Sequence, residues 1–180
     1  MGHFRLTSDI PEKMRDFFLK STVPLTICDA RLDDSPLIGV NSAFCSLSGY
    51  DPDEMLERNC RFMQPEGDRM PVCERMRSFL KDDTAGNDRF LVPNVRKDGS
   101  RFVNLLYITK LQQDGATTHL LGSQFDFSRH GEAGIDLYDT ALSKDIDNLN
   151  SSAQEFGWVF LGGYETLASS HALIAQARLE

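Results

Sequence analysis

The residues most able to do chemistry are four cysteines and a set of side-chain amides. Cys28, Cys45, Cys60 and Cys73 are spaced 17, 15 and 13 residues apart, and no two form a Cys-x-x-Cys pair. A zinc knuckle needs such pairs to bring two thiolates onto one ion, and His3, His119, His130 and His171 are too scattered to complete a site, so no metal is expected. A thiol enzyme would need a base beside its cysteine, and no histidine has the sequence context for that role, which disfavours a hydrolase. The amides carry a different signal. A hairpin turn centred on Gly99 sets Asn94 opposite Asn104, and one centred on Asp114 sets Asn104 opposite Gln124. Three amides then lie in a row among Phe90, Val92, Phe102, Leu106, Ile108, Leu120 and Gly122. Buried amides are costly unless hydrogen-bonded. Either they bond each other and the backbone, or they present alternating donors and acceptors to the polar edge of a flat heterocycle, with Gly122 allowing close approach of a ring.

The elements that position these residues are legible in outline. Residues 8–20 read as a helix capped by Asp9, with Pro11 in its first turn and Met14, Phe17 and Phe18 at helical spacing. Residues 25–30 and 37–40 read as strands, 42–47 as a short helix ended by Gly49, and Asp51-Pro52-Asp53-Glu54 as a capped helix start. A longer helix is expected over 68–81. Three strands follow, near 88–96, 101–111 and 117–127, joined as hairpins, with Pro93 demanding an edge or bulged strand. From Ile135 onward the chain reads as helical, first with a seam of Ile135, Tyr138, Leu142, Ile146 and Leu149, then as a second helix carrying Leu167, Ala168, Ile174 and Ala175. Adjacent hairpins imply an antiparallel sheet and an α+β fold. The opposite sheet face, with Val103, Leu105, Tyr107, Leu121, Phe125 and Phe127, is also apolar, so the terminal helices or a second copy of the chain must cover it.

Composition narrows the function classes. The chain has 180 residues, 41% of them hydrophobic, and a formal charge of −8, a balance that argues against binding nucleic-acid phosphates or an anionic membrane. No apolar run approaches the roughly 20 residues of a bilayer span, and the start lacks a secretion signal. A cytoplasmic protein with free thiols is expected.

One run is more specific than the rest. Arg58-Asn59-Cys60-Arg61-Phe62-Met63-Gln64 resembles the Asn-Cys-Arg-Phe-Leu-Gln signature of LOV (light, oxygen, voltage) domains, flavin-binding members of the PAS superfamily. The resemblance runs from about Leu25 to Phe127 and takes in Asn41, Phe44, Gly49-Tyr50, Asp68-Arg69, Asn94, Asn104 and Gly122-Ser123-Gln124. It implies a PAS fold of roughly five antiparallel strands with short helices on the flavin face. It implies a blue-light photoreceptor that binds flavin mononucleotide (FMN), with Cys60 as the thiol that adds reversibly to ring carbon C4a. It places Asn59 and Gln64 on the ribityl chain and ring edge, Arg61 and Arg69 on the terminal phosphate, and Thr26, Asn94, Asn104, Leu106 and Gln124 around the ring. Gln124 matches the glutamine that reorients when ring nitrogen N5 is protonated. Cys28, Cys45 and Cys73 match no reactive position and read as small core residues. The chain departs from the family pattern at Glu57, where glycine is usual, in a loop one residue shorter after Gln64, and at Leu106, where phenylalanine is common.

The expected organisation is an N-terminal helical cap (1–22), a flavin-binding core (23–128) and a C-terminal helical extension (129–180), as in short bacterial LOV proteins. No kinase, phosphodiesterase or DNA-binding module is expected after Phe127, so the chain reads as a sensor and not an enzyme. The expected partners are a second copy of the chain, in a light-modulated homodimer, and a downstream protein of unknown identity. The alternative is a PAS-type flavin redox or small-ligand sensor in which Cys60 is not photoactive.

Overall fold

Two tight turns organise the sheet. Asp114 and Gly115 both adopt left-handed backbone (φ 52° and 79°), the conformation of a two-residue type I′ hairpin, and Gly99 (φ 84°) closes the other turn. The computed structural model describes residues 2–4, 9–66, 71–161 and 170–177. In chain order its elements are β1 (His3–Phe4), α1 (Glu12–Lys20), β2 (Leu25–Asp29), β3 (Leu37–Val40), α2 (Ser42–Ser48), α3 (Pro52–Met55), a 3₁₀ turn (Cys60–Met63), α4 (Pro71–Lys81), β4 (Asn87–Val95), β5 (Arg101–Gln113), β6 (Ala116–Asp126), α5 (Phe127–His130), a second 3₁₀ turn (Glu132–Gly134), α6 (Ile135–Gln154), β7 (Trp158–Leu161) and α7 (Ser170–Ala177). The strands form one antiparallel sheet in the order β1-β3-β2-β6-β5-β4, and β7 also pairs with β5. This is an α+β PAS fold. The five strands read from the sequence all form, and Pro93 lies on an edge strand. The short β1 and β7 are additions.

The registers differ from those expected. Asn94 faces Phe102 and Asn104 faces Val92 across β4–β5, while Gln124 faces Leu106 and Asn104 faces Asp126 across β5–β6. Both pairings are displaced by two residues. At the first turn the Arg96 amide donates to the Ser100 carbonyl (2.9 Å), which centres the loop on Asp98. At the second, the two-residue turn pairs Gln113 with Ala116, and a bulge between Leu111 and Gln112 restores the parity that this turn would have flipped. A shift of one residue would have turned every side chain to the wrong face. A shift of two keeps the faces and makes the amides diagonal neighbours.

The outer face of the sheet is closed by the chain's own helices. Leu105, Tyr107, Leu121 and Phe125 pack against Met14 and Phe18 of α1 and Ile135, Tyr138, Leu142, Ile146 and Leu149 of α6. Each such side chain, fully buried, contributes about 1.5–3 kcal/mol. Polar groups enter this covering at several points: the Ser123 and Tyr138 hydroxyls meet at 2.8 Å, Thr109 Oγ1 donates to the Leu161 carbonyl (3.1 Å), and the buried Arg89 guanidinium lies over the Tyr107 ring. Burial pushes the Tyr138 phenol well up, so it stays protonated.

Some local expectations are corrected. Asp9 does not cap α1, whose N-cap position is Pro11. Its carboxylate instead accepts from Arg31 Nη1 (2.8 Å) and faces His119 Nε2 at 3.2 Å, and His119 stacks on Trp158 with ring centroids 4.6 Å apart. The region after α6 holds a strand before its helix, and Leu167 and Ala168, read as helical, lie outside the described residues. Phe127 begins α5 and does not end β6. On the inner side, Lys110 Nζ donates to the Phe79 and Asp82 carbonyls (2.8 and 2.6 Å), pinning the C-terminus of α4 against the sheet. Among the described residues, no helix is long and apolar enough to cross a membrane, and no group of residues could hold a metal ion.

Candidate functional site

The inner face of β2, β4, β5 and β6, the 3₁₀ turn with its flanks, and α4 enclose a cavity of about 260 Å³. This lies just below the usual range of small-molecule sites, about 300–1,000 Å³, and suits a flat ring whose tail leaves through the mouth. Met63, Met76, Val92, Leu106, Ile108 and Leu120 supply its apolar walls.

The amides stand where these walls end. Asn104 Nδ2 donates to Asn94 Oδ1 (3.0 Å), its Oδ1 accepts from the Phe125 amide (3.3 Å), and Asn94 Nδ2 donates to the Met63 carbonyl (3.3 Å). This part of the row bonds to itself and to the backbone. Gln124 differs. Its Nε2 donates to Thr26 Oγ1 (3.0 Å), while its buried Oε1 has no partner among the described residues. A buried acceptor without a donor costs about 1–3 kcal/mol, so an incoming N–H group would be favoured at this point. Gly122 keeps the arrangement open, because a Cβ there would lie 2.7 Å from Thr26 Oγ1 and 3.1 Å from Gln124 Nε2.

Cys60 opens the 3₁₀ turn. Asn59 caps that turn by accepting from the Arg61 amide (3.0 Å), and its Nδ2 donates to the Asp34 carbonyl (2.6 Å). The approach is set by Glu57, which takes a left-handed backbone (φ 66°), the conformation that the family's usual glycine adopts without strain. Cys60 and Cys28 are half-buried and both line the cavity. The Cys60 thiol against it, together with burial and the Asp29 carboxylate, pushes the Cys28 thiol up, so Cys28 stays protonated. Gln64 Oε1 accepts from the Cys73 thiol (3.7 Å). Cys28 and Cys73, read as core residues, thus belong to the cavity wall, while Cys45 does not reach it.

At the mouth, Arg61 forks onto Asp34 through two hydrogen bonds (2.7 and 2.6 Å), and the guanidinium holds the Asp34 carboxyl below its usual range. The guanidinium expected to take a phosphate therefore already holds a carboxylate. Arg69 lies outside the described residues. The sequence reading missed Arg77, an exposed α4 residue that lines the cavity. Its signal was the helical spacing Cys73, Arg77, Leu80. Of the expected site residues, Thr26, Asn59, Cys60, Arg61, Gln64, Asn94, Asn104, Leu106 and Gln124 all border this one cavity.

Comparison with known proteins places this arrangement. Residues 25–129 match the family described as PAS domain. The chain is similar to the Rhodobacter sphaeroides LOV protein, with 28% identity and a TM-score of 0.78 over 92% of this chain and 94% of that one. It is similar to the LOV domain of the Erythrobacter litoralis EL346 blue-light activated histidine kinase (35% identity, TM-score 0.54), over 58% of this chain and 94% of that domain. Among curated proteins it is 32% identical over 133 residues to a blue-light-activated histidine kinase of Brucella anthropi, and 32% identical over 125 residues to rice (Oryza sativa) phototropin-2. These alignments cover 73% and 68% of this chain, but only 27% of the kinase and 14% of the phototropin.

Proposed function

The chain belongs to the PAS domain family, in its LOV branch, and from that premise we propose that it is a blue-light sensor holding FMN in the cavity under Cys60. The observation that carries the reading is one cavity bordered by a thiol, by apolar walls and by an amide with an unpaired buried acceptor. These residues suit an isoalloxazine ring: Val92, Leu106, Ile108 and Leu120 would cover its faces, and Asn94, Asn104 and Gln124 would meet its imide edge. Asn59 and Gln64 would hold the ribityl tail, and Arg61 and Arg77 are the phosphate donors at the mouth, to which the family resemblance adds Arg69, outside the described residues.

When bound, the flavin supplies an excited state reactive enough that a protonated thiol suffices. Cys60 would supply both sulfur and proton of its thiol to a light-driven addition at the bound ring that reverses in darkness. Gln124 can exchange donor for acceptor as the ring edge changes protonation, an exchange that leucine cannot make. The output is sensory and not enzymatic, passing through the flanking helices to self-association and a downstream protein. Exposed Leu137, Phe156 and Val159 on the α6–β7 segment support a second copy docking there.

The visible spectrum of the purified protein before and after blue light tests the reading. A yellow protein is expected, bleaching in blue light and recovering in darkness, with Cys60→Ser keeping the colour but losing the bleach. A colourless protein would sink the flavin assignment, and a bleach that survives Cys60→Ser would sink the thiol assignment. Size exclusion at several concentrations in darkness and in light checks the oligomer, for which weaker association in light is expected.

A further inference from the structure

We propose that Cys28 and Cys60 form a reversible dithiol–disulfide pair, with Cys28 resolving an oxidised Cys60. Thr26 and Cys28 are alternate residues of β2 and share its inner face, so the same strand that holds Gln124 in place turns a thiol into the cavity. Cys28 pairs with Leu37 of β3, and Leu37 bonds through both backbone groups to the segment that leads into Cys60, its amide to the Arg58 carbonyl (2.8 Å) and its carbonyl to the Glu57 amide (2.9 Å). These backbone bonds, running through a bulge at Ile27–Cys28 and the turn that carries Glu57 and Arg58, tie the Cys28 strand to the segment that leads into Cys60. Both also pack on the Leu37, Val40, Phe44, Met55 and Met63 cluster.

The other thiols are poorer partners. Cys73 is buried and bonded to Gln64, and Cys45 does not line the cavity. The two paired cysteines also differ in a way that assigns their roles. Cys60 stands on the 3₁₀ turn beside Arg61 at the cavity mouth, and Cys28 on the strand that forms the wall, so an oxidant entering by the mouth reaches Cys60 first. Cys28 is held protonated by the neighbouring thiol and by burial, which protects it from direct attack.

With a hydroperoxide such as hydrogen peroxide as oxidant, the steps balance. The Cys60 sulfur attacks the peroxide: an S–O bond forms, the O–O bond breaks, and one water leaves with the thiol proton. The Cys28 sulfur then attacks the resulting sulfenic acid: the S–S bond forms, the S–O bond breaks, and a second water leaves with the Cys28 proton. The two sulfurs give up two electrons to the peroxide oxygens. The consequence rests on the proposed function, since a disulfide would withdraw from the flavin the thiol that light requires.

The test uses the full chain as purified. It is treated with hydrogen peroxide in darkness, alkylated under denaturing conditions and mapped by mass spectrometry. The alkylatable thiols are expected to fall from four to two, with a 28–60 cross-linked peptide, and to return to four with dithiothreitol. Cys28→Ser should lose the cross-link and carry Cys60 on to sulfinic acid, while Cys73→Ser should retain it. Cys60 joined to Cys45 or Cys73, or sulfinic acid at Cys60 of the unaltered chain without the cross-link, would overturn the proposal. This map reads sulfur alone, so it stands or falls whether or not the protein bleaches. The consequence is read separately, as a bleach lost on oxidation and restored by dithiothreitol.

Discussion

Alternate residues of the same strands build two unlike surfaces. The outward side chains of β5 and β6 meet helices and β7, and the polar ones among them find protein partners, Ser123 with Tyr138, Thr109 with the Leu161 carbonyl and His119 with Asp9. Their inward neighbours carry amides around a cavity and leave the Gln124 acceptor unpaired. The difference teaches where stability and function reside: one face is packed to hold the fold, and the other is left incompletely packed and polar so that something else can complete it.

Adjacent leucines give the sharpest test. Leu105 is fully buried on the outer face, and Leu106 borders the cavity. Leu105→Ala should cost about 2–5 kcal/mol in urea unfolding, as for a well-packed core leucine. Leu106→Ala should cost under about 1.5 kcal/mol, because part of its surface has no packed neighbour to lose, and should instead weaken flavin binding. Equal losses would mean that the cavity wall is packed as tightly as the outer face.

At the cavity mouth, Arg77→Ala should weaken FMN by about 1.5–3 kcal/mol, roughly ten- to a hundredfold, and riboflavin little. Arg61→Ala should do less, since Asp34 already occupies its fork, and Asp34→Asn should move FMN affinity the other way. Titration of both flavins checks all three, and an unchanged affinity in Asp34→Asn would show that the Asp34–Arg61 pair does not compete with the phosphate.

The polar contact across the sheet is smaller. Tyr138→Phe should cost about 1 kcal/mol and leave the Ser123 hydroxyl unpaired under α6. It should also reduce any light-driven change in α6, measurable by hydrogen exchange of that helix, without altering the flavin spectrum. A full exchange response would exclude this hydroxyl pair as the link.

His119 sets the smallest effect. Burial keeps its imidazole below the ordinary histidine value, against the opposing pull of the Asp9 and Asp29 carboxylates. The unfolded chain therefore takes up a proton near pH 6.5 that the folded chain refuses, so stability falls as pH drops below that point, by at most about 1.4 kcal/mol per unit. Unfolding midpoints from pH 7.5 to 5.5 should show this slope, and His119→Gln should flatten it. Subtracting the two profiles removes Asp139 and Asp145, whose carboxyls burial pushes up and whose contribution has the opposite sign.

Much of this was legible in the residues. Gly99 and Asp114-Gly115 announced the hairpins, and the periodicity of Ile135, Tyr138, Leu142, Ile146 and Leu149 announced the helix that covers the sheet. The registers were not, because a loop centred on Asp98 rather than Gly99 and a bulge between Leu111 and Gln112 leave no mark in composition, yet a shift of two preserved the face of each amide. Cys28 was legible only through its alternation with Thr26, and a small apolar residue on a strand is ordinarily core. Trp158-Val159-Phe160-Leu161 has strand composition but follows a long helix, and its pairing partner lies some 50 residues earlier, beyond any local pattern.

That late strand has a practical consequence for anyone shortening the chain. β5 is 13 residues long, and β4 pairs only with its first nine, Arg101 to Thr109. β7 takes over the same edge from Lys110 to Gln113. A truncation after α6 would strip that edge and uncover the backbone of β5 beyond Lys110, whose own amide stays bonded to the Gly86 carbonyl, leaving an open template for another molecule. Such a fragment should self-associate through its edge in darkness and in light alike. Its dimers would then report a cut made at the bench, so any light-dependent assembly has to be measured on a chain that keeps Trp158–Leu161.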